Sequence, residues 1–323
     1  MKYLIIIVTI ASFCLWGFGQ NILDNSDPEK ASDKRNLTDE ELVKSYETIC
    51  WELSLIDNND VITPQKTTTK ISRNYDGLFD CQTAEISGDI TMGFDSERGM
   101  VLTIFNDKLY KKLYESKNKL DDPYNEGRSR KTVEQVLQES STALKILCSG
   151  QKINYVLEDI VFRSKYDKRG TWYLRYRRYY NGYKFNNDTI RMELSDTGGL
   201  LTFSNHCTSE ILSAEVKVDR GKALKLSKDF ALRMMNSKEL LSYSKAHKLG
   251  DAFWAELLIV NPNYICTSKS TYEGDKIIRK ARLAWVTKFG VLSNSRSVSR
   301  LPDCEIQVWV DGENGEILGG DFK

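Results

Sequence analysis

WYLRYRRYYNGYKFNNDTIRMELSDTGGLLTFSN, residues Trp172 to Asn205, reads as two successive antiparallel hairpins. Side chains of an extended strand alternate between faces, so Trp172, Leu174, Tyr176 and Tyr180 fall together and Tyr173, Arg175, Arg177 and Tyr179 fall opposite them. Asn181-Gly182 supplies the first turn, because a type I′ turn needs positive φ at both central residues and these two tolerate it best. Ile190, Met192 and Leu194 then alternate with Arg191 and Glu193 up to the turn residues Ser195 to Gly199. Leu200, Leu201 and Phe203 return as the other arm of the second hairpin.

This second hairpin is written three times. Ile90, Met92, Phe94 and Gly99 match Ile190, Met192, Leu194 and Gly199, and again Ile306, Val308, Val310 and Gly315. In each copy the glycine stands five residues after the third apolar position, where a turn demanding positive φ would put it. An amphipathic helix is predicted ahead of each copy. Thr38 and Glu41 form a capping box before Leu42, Tyr46, Ile49 and Leu53. Thr132 opens the next, with Val133, Val136, Leu137, Leu144 and Leu147 as its stripe and Gly150 as its stop. Asp219 caps the last, carrying Ala223, Leu226, Phe230 and Met234.

The expected fold class is therefore α+β, with repeated modules of an amphipathic helix packed on an antiparallel β-sheet. The modules are expected at residues 38–120, 131–208 and 215–323, the first two separated by the polar run Asp121 to Arg130. Other expected strands are Thr67 to Tyr75, Tyr155 to Arg163, Phe253 to Val260 and Ile278 to Phe289. Helices are expected from Lys108 to Lys119 and after Ser237.

With 46 Lys and Arg against 45 Asp and Glu among 323 residues, the net charge is +1. No global field steers such a chain to nucleic acid or to an anionic membrane, so charged partners must be sought locally. Lys2, the apolar run Leu4 to Trp16 and the small residues Gly17 and Gly19 read as a signal peptide over residues 1–19, with a polar flexible leader over 20–37. The run is shorter than the ~20 apolar residues that cross a bilayer, so no membrane span is expected after cleavage; a retained anchor is the open alternative. The expected location is secreted, periplasmic or in the cell envelope.

Outside the signal segment lie Cys50, Cys81, Cys148, Cys207, Cys266 and Cys304, an even set and each a disulfide candidate in an exported chain. Two fall in each module, suggesting the local pairs Cys50 with Cys81, Cys148 with Cys207 and Cys266 with Cys304. The alternative is that several are buried thiols.

The sequence carries no HExxH, GxSxG, phosphate loop or CxxC pair, so no enzyme activity, cofactor or metal is expected. His206 and His247 have no ligand cluster in sequence, and His247 is expected on a helix. Asp311, Glu313 and Glu316 could offer oxygens to calcium, but the matching turns DSERG and SDTGG keep the glycine and not the carboxylate spacing. The run Tyr173 to Tyr180 could stack on single-stranded nucleic acid, yet the neutral charge and export signal favour a protein interface, where Tyr and Arg are enriched. Tyr173, Arg175, Arg177, Tyr179, Asn181 and Gly182 are the expected partner-binding residues, with a solvated sheet face as the alternative.

TWYLRYRRYYNGYKFNNDTIRMELSDTGGLLTF resembles the propeptide region of thermolysin-type metallopeptidases, in which an aromatic strand, an Asn-Gly turn and a hairpin ending in glycine recur. RLAWVTKF followed by CEIQVWVDGENGEIL is similar to the end of a PepSY domain, and together the matches run from Thr132 to Gly320. The resemblance implies a PepSY-like protein without the peptidase domain. It further implies a non-catalytic exported binding protein, a peptidase inhibitor or regulator, whose partner is a secreted metallopeptidase met by a sheet edge or hairpin. The alternative is a structural or ligand-binding cell-envelope protein with no peptidase partner.

Overall fold

The computed structural model describes residues 36–55, 70–76, 81–115, 127–149, 154–163, 170–207, 210–236, 247–262, 280–293 and 304–322. The helices are α1 (Asp39–Glu52), α2 (Asp107–Glu115), α3 (Val133–Leu147) and α4 (Arg220–Met235). Strands β1 (Lys70–Asp76), β2 (Cys81–Ser87), β3 (Ile90–Asp95) and β4 (Val101–Asn106) lie between α1 and α2. After α3 come β5 (Asn154–Arg163), β6 (Thr171–Tyr180), β7 (Tyr183–Ser195), β8 (Leu200–Asn205) and β9 (Glu210–Ser213). After α4 come β10 (His247–Val260), β11 (Lys280–Ser293), β12 (Cys304–Asp311) and β13 (Ile317–Phe322).

The strands join in one large sheet ordered β1-β2-β3-β4-β8-β7-β10-β11-β12-β13, with β6 and β5 continuing from β7 and β9 beside β11. Pairing is antiparallel except between β7 and β10 and between β9 and β11, so the chain is α+β. The two hairpins β3–β4 and β7–β8 meet edge to edge, with Ile104 opposite Phe203, Thr103 opposite Ser204 and Phe105 opposite Thr202. That junction makes one surface for α1 and α3, and a single apolar cluster runs through it from Leu42, Phe94 and Ile104 to Leu174, Met192 and Phe203. A second cluster lies under α4, around Phe289, Val291, Ile306, Val308 and Val310.

The turns that end β3, β7 and β12 close by related hydrogen bonds. Gly99 N–H donates to the Asp95 carbonyl at 2.8 Å, Gly198 N–H to that of Ser195 at 3.1 Å, and Gly315 N–H to that of Asp311 at 3.1 Å. Side chains at the same positions cap the turns: Asp95 Oδ1 accepts from Glu97 and Arg98 N–H, Ser195 Oγ from Thr197 N–H, and Asp311 Oδ1 from Glu313 and Asn314 N–H. Gly99, Gly198 and Gly315 take φ of 67°, 111° and 83°, a region closed to most side chains. The middle turn is one residue shorter, so Gly198 and not the sequence-matched Gly199 fills the closing position; Gly199 also has positive φ, 94°.

Each turn then holds the backbone just ahead of a helix. Leu37 N–H donates to the Ser96 carbonyl at 2.7 Å, one residue before the α1 cap Thr38, and Val218 N–H donates to Gly312 at 2.8 Å, one residue before the α4 cap Asp219. Ahead of α3 the acceptor is a side chain: the Asp196 carboxylate takes Ser129 Oγ–H, Arg130 N–H, Lys131 N–H and Trp172 Nε1–H. Trp285 makes the corresponding contact below α4, donating Nε1–H to the Val218 carbonyl at 2.8 Å. The caps themselves form as the sequence indicates, with full capping boxes at Thr38 and Thr132.

Where α3 and α4 meet the sheet, small residues share the buried face, unlike α1, which buries Leu42 and Tyr46. On α4 the buried positions are Ala223, Ser227, Ala231 and Met235, whereas Leu226 and Phe230 of the expected stripe pack partly exposed on the cluster's margin. On α3 they are Val136, Ser140, Ala143 and Leu147. A helix can approach a sheet closely only through small side chains, and each buried serine hydroxyl has a partner there: Ser140 meets Tyr176 Oη at 2.7 Å and Ser227 meets Thr287 at 3.1 Å.

Other expectations shift. His247 begins β10 and is not helical, β2 and β9 were not anticipated, and β11 extends to Ser293. The signal segment, most of the leader, Gly150, Cys266 and the segment after Ser237 lie outside the described residues.

Burial alone would raise the Asp196 pKa, but hydrogen bonds from Ser129, Arg130, Trp172 and Lys131 outweigh it and hold the carboxyl below its ordinary value. A depressed folded pKa contributes stability above the unfolded value of about 3.9 that is lost as pH falls through the folded one. Asp196→Asn should therefore lower stability at pH 7 by about 2 kcal/mol. Thermal melts between neutral and acid pH should also show the variant losing less on acidification than the wild type.

Candidate partner-binding surface

Strand β6 divides by alternation as far as Arg177, beyond which a register shift breaks the pattern and Tyr180, grouped by sequence with the buried face, is exposed. Trp172, Leu174 and Tyr176 are buried beneath α3, and Tyr173, Arg175, Arg177 and Tyr179 lie on the opposite face, each half-buried. Asn181 and Gly182 form the exposed turn with φ of 48° and 81°, as a type I′ turn demands. Cross-strand pairing carries this face onto β5: Val161 stands opposite Tyr173, Asp159 opposite Arg175 and Val156 opposite Arg177. Val156 and Val161 are 47% and 42% exposed, the apolar points of a polar surface. A register shift between Leu157 and Asp159 bulges Glu158 out of β5.

The arginines are tied into this surface. Arg175 Nε meets Glu158 at 3.1 Å and its Nη2 meets Asp159 at 3.7 Å. Arg177 pairs with Glu158 at 2.8 Å and donates to the carbonyls of Phe185 and Asn186. Arg163 lies 4.5 Å over the Tyr173 ring and pairs with Glu193 at 3.1 Å. One residue along, Arg178 pairs with the buried Asp188 at 3.0 Å and covers Phe185. The charge of this face is thus largely neutralised from within.

Behind Arg178 the α3 C-cap Cys148 and the post-β8 residue Cys207 converge. The Tyr155 hydroxyl donates to the Cys148 sulfur, and Cys148 is close enough to Cys207 to contribute to raising its pKa. Burial pushes Cys148 up to about 11 and Cys207 well above the usual thiol value. Cys50, on the inner face of α1 beside Tyr46, is pushed up to about 12 for the same reason. Cys304 is half-buried at the start of β12. The side chain of Cys81 and all of Cys266 lie outside the described residues, so two of the three expected pairs have one partner there.

The carboxylates considered for calcium have protein partners. Asp311 pairs with Arg282 Nε at 2.7 Å besides capping its turn, Glu313 meets Lys217 at 2.8 Å, and Glu316 approaches Arg282 at 3.5 Å. Among the described residues no three His, Cys, Asp or Glu side chains gather as a metal site. His206 is half-buried after β8, its N–H donating to the Thr189 carbonyl.

A groove of about 420 Å³ runs between the end of α1 and the first half of α3, over the β7–β8 turn. Gln135, Gln138, Glu139 and Thr142 line it, with Leu194 and Leu200 at its base. Glu139 is held there by Lys131 and by Gly199 N–H at 2.9 Å. Such a lining differs from the deep apolar pocket usual for small ligands.

No family model matches the sequence, and no curated protein matches it. Among solved structures the chain is similar to the Bacillus megaterium YpeB C-terminal domain, with 11% identity and a TM-score of 0.37, over 89% of this chain and 98% of that one. A likeness at that level assigns no function to this chain.

Two outcomes follow from this geometry. Arg177→Ala, which leaves two carbonyls without their donor and Glu158 with Arg175 alone, should cost about 1–2 kcal/mol in chemical denaturation, while Tyr179→Ala should stay within about 0.5 kcal/mol of wild type. Only the thiolate reacts with a disulfide reagent. In reduced folded protein at pH 8, Cys50, Cys148 and Cys207 should therefore be labelled at least about a hundredfold more slowly than after denaturation, as mass spectrometry of the labelled peptides would read.

Proposed function

We propose that this chain is a non-catalytic exported binding protein of three helix-on-sheet modules, PepSY-like in the second and third, that inhibits or regulates a secreted peptidase. The observation that carries the reading is β5: the described residues give it β6 on one edge, and it presents Val156 and Val161 on the face it shares with Tyr173, Arg175 and Arg177. An extended segment of a partner can add to such an edge, its main chain supplying hydrogen bonds and its alternate side chains meeting the two valines. The ion pairs of Arg175 and Arg177 hold the adjoining strand rigid, so little ordering cost remains at binding.

Inhibition of a thermolysin-type metallopeptidase by the purified chain is the test. Val156→Glu with Val161→Glu should weaken inhibition at least tenfold, about 1.4 kcal/mol, with the melting temperature within a few degrees of wild type. If the wild-type chain neither binds nor inhibits any peptidase secreted alongside it, the regulator reading fails. The structural or ligand-binding envelope protein is then the better account.

A further inference from the structure

The net charge of +1 conceals a concentrated basic surface on α4. Its sixteen residues hold Arg220, Lys222, Lys225, Lys228 and Arg233 against the single acid Asp229. Ala223, Ser227, Ala231 and Met235 face the sheet, so Lys222, Lys225, Asp229 and Leu232 line the opposite side at helical spacing. Arg220, Lys222, Lys225, Lys228 and Arg233 are all exposed. Among the described residues Lys228 has a distant acidic partner, Asp251 at 3.5 Å, and Arg220, Lys222 and Lys225 have none.

This placement works against the helix itself. Arg220 and Lys222 occupy the first turn, where the helix dipole disfavours cations, and the acid at that end is the cap Asp219, whose carboxylate accepts from Lys222 N–H at 3.0 Å. A cation cluster that is locally unfavourable and left unpaired calls for an external anion.

Apolar groups accompany the charge. Leu232 is 41% exposed on the helix, and Phe253, at 58%, is the most exposed large apolar side chain among the described residues. Phe253 is the unpaired residue of the register shift between Ala252, opposite Phe289 of the cluster under α4, and Trp254, which packs into the cluster on the other face. The Lys228–Asp251 contact places that part of β10 beside the helix, next to the register shifts between Leu249 and Trp254 that lift the strand.

We propose that the outer face of α4, with Phe253 beside it, docks the protein on an anionic phospholipid bilayer. Lysines and arginines would face the phosphate-bearing headgroups while Phe253 and Leu232 enter the boundary with the acyl chains, the pairing of two weak signals that reversible membrane attachment needs. A soluble polyanion would satisfy the charges but leave the phenyl ring in water. A protein partner would require acidic residues arrayed along the helix and gains nothing from the ring's isolated position.

The full chain is mixed with vesicles of phosphatidylcholine alone or of phosphatidylcholine and phosphatidylglycerol in about equal parts, and the bound fraction is read by co-sedimentation. The mixed vesicles should bind at least about tenfold more tightly, with binding falling as salt is added. Lys222→Gln with Lys225→Gln and Lys228→Gln should remove that preference, and Phe253→Ser should weaken binding severalfold at unchanged salt dependence. None of these exposed substitutions should alter the circular dichroism melt. Equal binding to both vesicle types by wild type and triple variant would assign attachment to another segment and overturn the proposal. So would tight binding to heparin without binding to the mixed vesicles.

Discussion

The packing of α1, α3 and α4 on the sheet depends on fastening the chain ahead of each of these helices to the far turn of the hairpin it covers. An extended residue just before a helix cap has a free N–H that the helix cannot satisfy, and a turn offers a carbonyl that the sheet cannot use. Pairing them, as Leu37 does with Ser96 and Val218 with Gly312, satisfies both groups and fixes where the helix starts over the sheet. The glycine at positive φ makes this possible, since it folds the turn tightly and leaves room above it. A β-carbon at Gly99 would stand 2.8 Å from Leu37 Cδ1.

The α3 variant of this joint uses a side chain, and its chemistry differs accordingly. Asp196 accepts from two backbone N–H groups and from Trp172, while Lys131 crosses to the Ser195 carbonyl at 3.1 Å and to Glu139. An ionised acceptor makes stronger hydrogen bonds than a carbonyl. The shorter turn ending in Gly198 and Gly199 is therefore compensated by charge. The same network holds the indole of Trp172, and so sets the start of the strand whose other face carries the tyrosines and arginines.

Much of this architecture was legible in the sequence because it rests on local rules. Asn181-Gly182, the caps Thr38, Thr132 and Asp219, and the two faces of β6 were readable from turn chemistry, capping and alternation. What escaped was set by tertiary proximity. Of the α4 stripe expected at Ala223, Leu226, Phe230 and Met234, Ala223 is buried, but the helix turns Ser227, Ala231 and Met235 to the sheet in place of the larger Leu226 and Phe230 and of Met234. The role of Asp196 has no signature, since Ser129 and Arg130 lie over sixty residues away. Parallel joints at β7–β10 and β9–β11 involve one to three residue pairs and leave no periodic trace. Of the candidate surface, the residues were identifiable but not their internal ion pairs, which link β6 to carboxylates on β5 and β7.

Those ion pairs separate two uses of positive charge in a nearly neutral chain. On β6 each guanidinium is matched by Glu158, Asp159 or Asp188 at hydrogen-bonding or ion-pair distance. The matched charges contribute little long-range field, and the exposed valines of β5 are the apolar points beside them. On α4, among the described residues, the cations have one long acidic contact, and a field that is not cancelled nearby reaches outward over about a Debye length. A partner approaching in solution would be steered to α4 and hardly at all to β6. If both proposals hold, α4 would keep the molecule at an anionic surface while the face built around β5 and β6 met its partner on contact, without a net charge that would draw the whole protein to every polyanion.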